Sequence, residues 1–595
     1  MKNTVVLAVL FSAIIVASSS VVTVATVSGQ QVAGSSATAS SNSTVTVGWF
    51  GTSINTLNPY TTYSALGRWI GSNIYLPLVY YDAANRTVTP ALASSWSINF
   101  ANHTALFTIN PKAVWSDGVP VTAQDVVYSY KLASQNYSVL EQYVSPVSSM
   151  VALNPHTVEV TMTSVLWTTW AAYVAVVPYH VWDKVNASTY PAYNTTGSQY
   201  FVGDGPYVLS KYVVNQYTEI QKNPRAFLAG HMPGVSNVIF QFFNSESSAI
   251  SSLQAGSIQG LTGILPSDVS LFQNNSKFTV TTSPGLEYFY LAINVNPQGN
   301  GNPTLRNLTV RQAMAHAINL TYIAKTVYHG NAQVLDSVLT PTNQYYDGNL
   351  TPAYNYSVAY ANKLLTQAGF QMTSSGYREN ASNTSQKLSY TVLVPSGDTL
   401  EVEAANMIAQ NLSAVGIKLT VTAETTGTMV ATIWPHYSQD MDLWDWFDYT
   451  QNSPYRLLGM FLPNQIAAGN SDSGFVNSTY QQVWNKLENA TSLSQVTNLS
   501  DQLQQILHQQ LPYIPLFIPS AITVYSSQIG NVSAYPGGPF GGYDYLTFTQ
   551  MHYSTAGSKP SSSSNTTYYV VGGVIAVVVF VAAAGVLVSR RRRNN

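Results

Sequence analysis

An apolar helical stripe that stops at a glycine and hands over to an alternating strand occupies residues 408–422. Ile408, Leu412 and Val415 share one helical face, and Gly416 is placed to end the helix in a left-handed turn. Lys418–Thr422 then alternates, with Leu419 and Val421 on one side. The device occurs a second time: Ser357 can cap a helix carrying Val358, Ala361, Leu365 and Ala368, which Gly369 ends with Phe370 folding back. Val310, Ala313, Met314, Ala317 and Ile318 make a further stripe that needs a sheet to lie on, and Thr44–Phe50 alternates as a strand at Val45, Val47 and Trp49. Helices that bury one stripe between strands predict layered α/β architecture. A length of 595 residues exceeds one core and supplies two or three lobes. No repeat of fixed period points to a solenoid or propeller.

The two ends predict an exported, anchored chain. Met1-Lys2-Asn3, an apolar run Val5–Val16 and the small residues Ala17–Ser20 follow signal-peptide order, here assigned to 1–29; an uncleaved anchor is the alternative, because Val21–Val27 prolongs the apolar run. A Ser/Ala/Thr-rich spacer follows over 30–43. At the other end the 19 residues Val570–Val588 carry no charge and as a helix span about 28 Å, the hydrocarbon thickness of a bilayer. Tyr568 and Tyr569 suit one interface and Arg590–Arg593 the cytoplasmic side, so a transmembrane helix is expected over 568–589 with a basic tail, 590–595. A Ser/Thr-rich stalk, 553–567, precedes it. The expected localisation is the cell membrane, single-pass, with the large domain outside. Roughly twenty Asn-X-Ser/Thr sequons, among them Asn85, Asn102, Asn136, Asn355, Asn411 and Asn531, predict a glycosylated surface.

Composition excludes several functions. Of 24 basic residues, five (Lys2 and Arg590–Arg593) flank the apolar ends, leaving 19 against 26 acidic and no basic run for a nucleic-acid backbone. Cysteine is absent, which removes disulfides, thiolate metal sites, a cysteine nucleophile and an N-terminal lipid tether. Any membrane tether must be peptide. Only 8% of residues are charged, about a third of the usual share; neutral Tyr, Asn, Ser and Thr keep their hydrogen bonds in acid, so an acidic exterior is expected. The nine histidines form no metal-binding pair, and neither a phosphate-binding Gly-rich loop nor a G-x-S-x-G elbow is present. We expect no enzyme activity, no cofactor and no metal.

One segment is rich in chemistry. Gln439–Arg456, QDMDLWDWFDYTQNSPYR, gathers Asp440, Asp442, Asp445 and Asp448 with Trp444, Trp446, Phe447 and Tyr449. Indole faces cover apolar or sugar surfaces, and a carboxylate at a pocket edge pairs with an ammonium group or accepts hydroxyls. The plainer reading is a buried strand, Met441–Trp446, whose alternating aspartates face outward.

The stretch PALASSWSI from Pro90, followed by LFTINPKAVWSDGVPVTAQDVVYSY up to Tyr130, resembles the signature region of the family 5 extracellular solute-binding proteins, the dipeptide/oligopeptide class. Its residues also have local roles: Trp115-Ser116-Asp117-Gly118 is a turn, and Thr122 with Asp125 is a capping-box start for a helix carrying Val126, Val127 and Tyr130. Further segments resemble the family in the same order, including SNIYLPLVYYD (72–82), GDGPYVLSKY (203–212), LTVRQAMAHAIN (308–319) and LPYIPLF (511–517).

The resemblance implies a two-lobed periplasmic-binding-protein-like α/β fold (type II, class C) with an extra subdomain in lobe I, here of an archaeal type with a C-terminal membrane anchor. It divides the chain into lobe I over 44–286 with a subdomain at about 74–198, lobe II over 287–509 and a lobe I return over 510–552. It implies capture of a solute and delivery to ABC permease subunits with cytoplasmic ATPases. In peptide-binding members an aspartate shortly after the corresponding strand pairs with the peptide α-amino group, and Asp448 is the nearest match. Members that bind oligosaccharides stack tryptophans on sugar rings, a role open to Trp444, Trp446 and Trp434. The expected ligand-binding set is Asp448, Trp446, Trp444, Tyr449 and Trp434, with an oligopeptide or oligosaccharide as partner. A surface sensor or an exported hydrolase on the same fold are the alternatives from other classes.

Overall fold

In the computed structural model the described residues run from 43 to 553, apart from 51–53, 55, 63, 83–86, 190–200, 229–231, 449–450 and 533–545. The expected signal peptide, nearly all of the spacer, the stalk beyond Tyr553, the transmembrane helix and the basic tail lie outside them. Among the described residues no helix is long and apolar enough to cross a membrane.

Eleven strands carry the architecture: β1 (Thr44–Phe50), β2 (Tyr207–Val213), β3 (Tyr217–Lys222), β4 (Asn237–Phe243), β5 (Gly260–Thr262), β6 (Phe278–Pro284), β7 (Glu287–Ile293), β8 (Ser389–Pro395), β9 (Lys418–Glu424), β10 (Met441–Phe447) and β11 (Tyr513–Ser526). They order as β9-β8-β10-β7-β11-β5-β1-β4-β3-β2, with β6 also paired to β11. The 14-residue β11 spans both halves: its first part pairs β7, and its second pairs β5 and β6. Gly285 and Leu286 link β6 to β7 beside it. A Cβ on Gly285 would lie 2.1 Å from the Pro519 carbonyl oxygen, so the two crossings touch there.

The helix-and-glycine units fold as their pattern requires. Helix α1 (Leu308–Ala317) buries Val310, Ala313, Met314 and Ala317, with Ile318 just beyond its end. The Ser357 hydroxyl accepts from the Tyr360 N–H to cap α2 (Val358–Gln367), and Gly369 follows at φ +86° with Phe370 buried. Helix α3 (Thr399–Ser413) buries Ile408 and Leu412, Gly416 turns at φ +81°, and β9 follows. Each such buried aliphatic side chain contributes about 1.5–3 kcal/mol. These helices cover one face of the β7–β10 half through Phe289, Leu291, Ile293, Met441 and Leu443. On the other face, Tyr288, Tyr290 and Ala292 pack with α4 (Ser478–Glu488) and α5 (Leu493–Gln510).

In the other half, a four-stranded antiparallel sheet (Ala93–Asn99, Thr104–Ile109, Thr157–Met162, Val147–Asn154) joins a core holding Trp69, Trp115, Trp170 and Trp182, each fully buried. The signature turn forms: Gly118 N–H donates to the Trp115 carbonyl at 2.8 Å, at φ +97°. Asp125 Oδ2 accepts from Thr122 N–H at 2.7 Å, completing the capping box of the helix Ala123–Ala133.

The outward-facing reading of the aspartates is corrected. β10 lies between β8 and β7 and both its faces are covered, so Asp442 is fully buried.

Candidate functional site

Alternation along β10 sets Asp442, Trp444 and Trp446 on one face, opposite Ala292, Tyr290 and Tyr288 of β7. This is the face turned away from α1–α3. Asp448 continues the ladder: its N–H donates to the Leu286 carbonyl at 2.7 Å, next to the crossing between β6 and β7. Its carboxylate is fully buried, with Oδ2 accepting from Thr340 Oγ1 at 2.8 Å and Asn343 Nδ2 at 3.1 Å. Burial pushes its pKa above the ordinary value, and these two donors pull against the shift, as does the charge of Arg456. No basic side chain among the described residues lies within ion-pair distance of it. Arg456 donates to the Phe447 carbonyl and sets its guanidinium 5.9 Å from the Trp446 ring centroid.

Buried polar atoms without hydrogen-bond partners gather on this segment. They are Trp446 Nε1, the Tyr288 hydroxyl across the ladder, Gln451 Nε2, and both side-chain polar atoms of Asn452. Buried donors and acceptors are rarely left unmatched unless a ligand or water meets them. The other half of the molecule closes over the same region. Val165 and Leu166 share an apolar cluster with Tyr288, Tyr290 and Leu457, the Ser164 and Tyr455 hydroxyls lie 3.2 Å apart, and the Tyr81 hydroxyl donates to Gln344 Oε1 at 3.3 Å.

The expected residues therefore separate. Asp448 and Trp446 sit together beside the crossing, and Trp444 lies one alternate position further along the same face. Trp434 is elsewhere: it packs with Trp444 at 6.2 Å between centroids, joins Leu393, Met429 and Ile433, and donates its indole N–H to the Ser471 carbonyl. Tyr449 lies outside the described residues. Sequence reading missed Tyr288, Thr340, Asn343, Gln451 and Asn452. The polar run Thr450–Ser453 was visible, whereas Thr340 and Asn343 reach Asp448 from more than a hundred residues away.

Two pairs of carboxyls also meet on the β7–β10 ladder. Asp442 and Asp472 are fully buried and bear on one another electrostatically, Asp442 Oδ2 and Asp472 Oδ1 have no hydrogen-bond partner, and Tyr290 donates to Asp472 Oδ2 at 2.7 Å. Glu287 and Asp445 meet on the opposite face. Among the described residues no three His, Asp or Glu side chains come together to hold a metal.

The fold defines the class first. An oligopeptide-binding component of an ABC transporter from Thermotoga maritima superposes with a TM-score of 0.74 at 20% identity, covering 86% of this chain and 100% of its own. The architecture is that of the two-lobed α/β solute-binding proteins. Within that class, residues 87–468 match the sequence profile of bacterial extracellular solute-binding proteins, family 5 (middle region), and the chain belongs to this family. A relative from Brucella ovis, provisionally named an ABC transporter peptide-binding protein, is 30% identical over 304 residues, which is 49% of this chain and 54% of the relative. The chain thus spans about half the length of that relative. The nickel-binding periplasmic protein of Escherichia coli is 23% identical over 507 residues, 83% of this chain and 92% of its own length.

Proposed function

We infer that this chain is the extracellular solute-binding protein of an ABC importer, capturing oligopeptides and delivering them to permease subunits served by cytoplasmic ATPases. The observation that carries the reading is Asp448. It is a buried carboxylate with no basic side chain within ion-pair distance among the described residues, steadied by Thr340 and Asn343, among unpartnered donors and acceptors where the two halves meet. Such a group suits an ammonium, and the indole, phenol and amide groups around it suit the peptide units that follow. The family and the name of the Brucella relative support a peptide. Binding energy spent on the closed arrangement would let the permease recognise the loaded form. The anchor is the apolar run Val570–Val588, which would hold the binding domain outside the membrane.

An oligosaccharide is the runner-up within the family, resting on the three tryptophans. Trp434 weighs against it, because its indole N–H and ring are already used in packing.

Native mass spectrometry of protein purified from its source identifies the retained solute, and calorimetry then compares peptides with free and acetylated N-termini. Free-amine peptides are expected to bind, and Asp448→Asn to weaken them by about 1.5–3 kcal/mol, the value of a charge-assisted hydrogen bond. Equal affinity for acetylated peptides rejects the amine anchor. A retained sugar or nickel complex overturns the peptide reading.

A further inference from the structure

Thr340 and Asn343, which donate to Asp448, belong to one loop, and a single side chain of α5 fastens both flanks of it. Gln504 is 1% exposed, and its amide is filled on every side. Its Oε1 accepts from the Ser337 hydroxyl at 2.8 Å and from the Asp347 N–H at 3.1 Å. Its Nε2 donates to the Tyr345 carbonyl at 2.7 Å and to the Ser500 carbonyl, one turn back along α5, at 3.2 Å. A side-chain amide has two donors and two acceptor lone pairs, so Gln504 has no capacity left for another partner. Three of its four bonds go to the loop, on both sides of Thr340 and Asn343.

The neighbours of Gln504 on α5 extend the attachment. Gln505 Oε1 accepts from the Thr351 N–H at 3.1 Å and its Nε2 donates to the Thr351 carbonyl. The His508 ring nitrogens lie 3.0 Å from the Asp336 carbonyl oxygen and 2.8 Å from that of Pro352. Residues 336–352 are therefore stapled to α5 at both ends, and the stretch between faces the site. There Asn343 divides its amide: Oδ1 accepts from the Tyr345 N–H at 3.0 Å, and Nδ2 donates to Asp448 and, at 3.2 Å, to the Ser453 carbonyl. The Gln344 N–H donates to the Gln451 carbonyl at 2.7 Å, and its side chain accepts from Tyr81 of the other half.

We propose that Gln504 is a positioning residue for the solute site: by closing the loop 337–347 onto α5 it sets Thr340 and Asn343 against Asp448 and holds Gln344 where Tyr81 reaches it. The role rests on the reading of Asp448 as the solute's anchor. With its amide filled, Gln504 acts through the loop and not on the solute. A loop left free must be ordered each time solute binds, which lowers affinity.

Two substitutions test this on the full chain. Gln504→Met keeps the length and removes the amide. Gln504→Glu, when ionised, accepts but cannot donate to Tyr345; when protonated, it offers a hydroxyl donor and a carbonyl acceptor in the place of the amide. Hydrogen–deuterium exchange without solute and calorimetry with free-amine trialanine are compared with wild type between pH 5 and 9. Gln504→Met should lose at least about tenfold in protection over 343–347 and at least about tenfold in trialanine affinity at every pH, with the distant strand Thr104–Ile109 unchanged. Gln504→Glu should match it at pH 9 and recover toward wild type at pH 5. Ser337→Ala, which removes one bond from one flank, should show both losses in smaller measure and serves if the Gln504 variants do not fold. Unchanged protection overturns the staple. Lost protection with wild-type affinity, or a deficit in Gln504→Glu that persists in acid, overturns the positioning role. A wild type that binds no trialanine counts against the peptide reading, and the exchange measurement, which uses no solute, still decides whether Gln504 holds the loop.

Discussion

Asp442→Asn is predicted to stabilise the protein at neutral pH relative to its effect in acid. Asp442 and Asp472 face one another, fully buried, with no basic side chain within ion-pair distance among the described residues. Two carboxylates so placed cannot both ionise, and the folded protein keeps a proton there that the unfolded chain releases near 3.8. Burial raises Asp472 to about 6 even against the Tyr290 hydroxyl and backbone N–H donors, and burial followed by the Asp472 charge raises Asp442 well above its ordinary value. Because the native state binds more protons than the unfolded state in this window, stability is full below about pH 4 and falls as pH rises. The span to about 6 corresponds to about 3 kcal/mol for one linked proton. Asparagine keeps the shape, donates N–H to Asp472 and offers its carbonyl to Gln439, whose Nε2 lies 3.4 Å from Asp442 Oδ1. It needs no proton to do so. Guanidinium unfolding at pH 4, 5.5 and 7.5 should show the variant gaining about 3 kcal/mol on wild type between the extremes. Parallel stability curves, or a variant deficit that grows with pH, refute the shared proton.

Two further predictions concern packing. Gly285→Ala would drive a methyl group into the Pro519 carbonyl, and overpacking of this kind costs about 1–3 kcal/mol, read as a lowered Tm; a wild-type Tm would contradict the tight contact between the crossings. Ile408→Ala empties a fully buried position between α3 and the sheet, and denaturant unfolding should register a loss of about 2–5 kcal/mol, with a loss below 1 placing that helix off the core.

What the sequence makes legible is what local chemistry decides. Gly369 and Gly416 stop helices because a left-handed turn requires no side chain, and Thr122 with Asp125 caps a helix within four residues. The alternation in Thr44–Phe50 survives as β1 with the same bounds. β10 defeated the same reasoning. Its alternation is real, but whether the aspartates meet solvent depends on β7 and β8 arriving on either side and on α4 and α5 covering the second face. None of that is written within the strand. Asp448 was visible as an acid beside tryptophans, whereas its partners Thr340 and Asn343 enter through tertiary pairing alone. Trp434 was near in sequence and looked equivalent to Trp446, but it packs in another apolar cluster, with Leu393, Met429 and Ile433.

The low charge of this chain and its buried acids have one physical explanation. Burying an ionised carboxylate without a partner is costly, and a neutral protein exterior would ionise Glu287, Glu401, Asp442 and Asp445 unless their pKa values rose. They rise because burial desolvates each of them, with neighbouring carboxylates adding to the shift and no basic side chain within ion-pair distance among the described residues. In acid the same groups are neutral hydrogen-bonding side chains and carry no such cost. A surface that is poor in ion pairs likewise has little for protons to break, since an exposed pair such as His180–Asp117 contributes about 0–1 kcal/mol. Sparse surface charge and partnerless interior carboxyls would each be a weakness in a neutral medium. Both become consistent with stability if the binding domain works in an acidic one, where the interior carboxyls hold their protons.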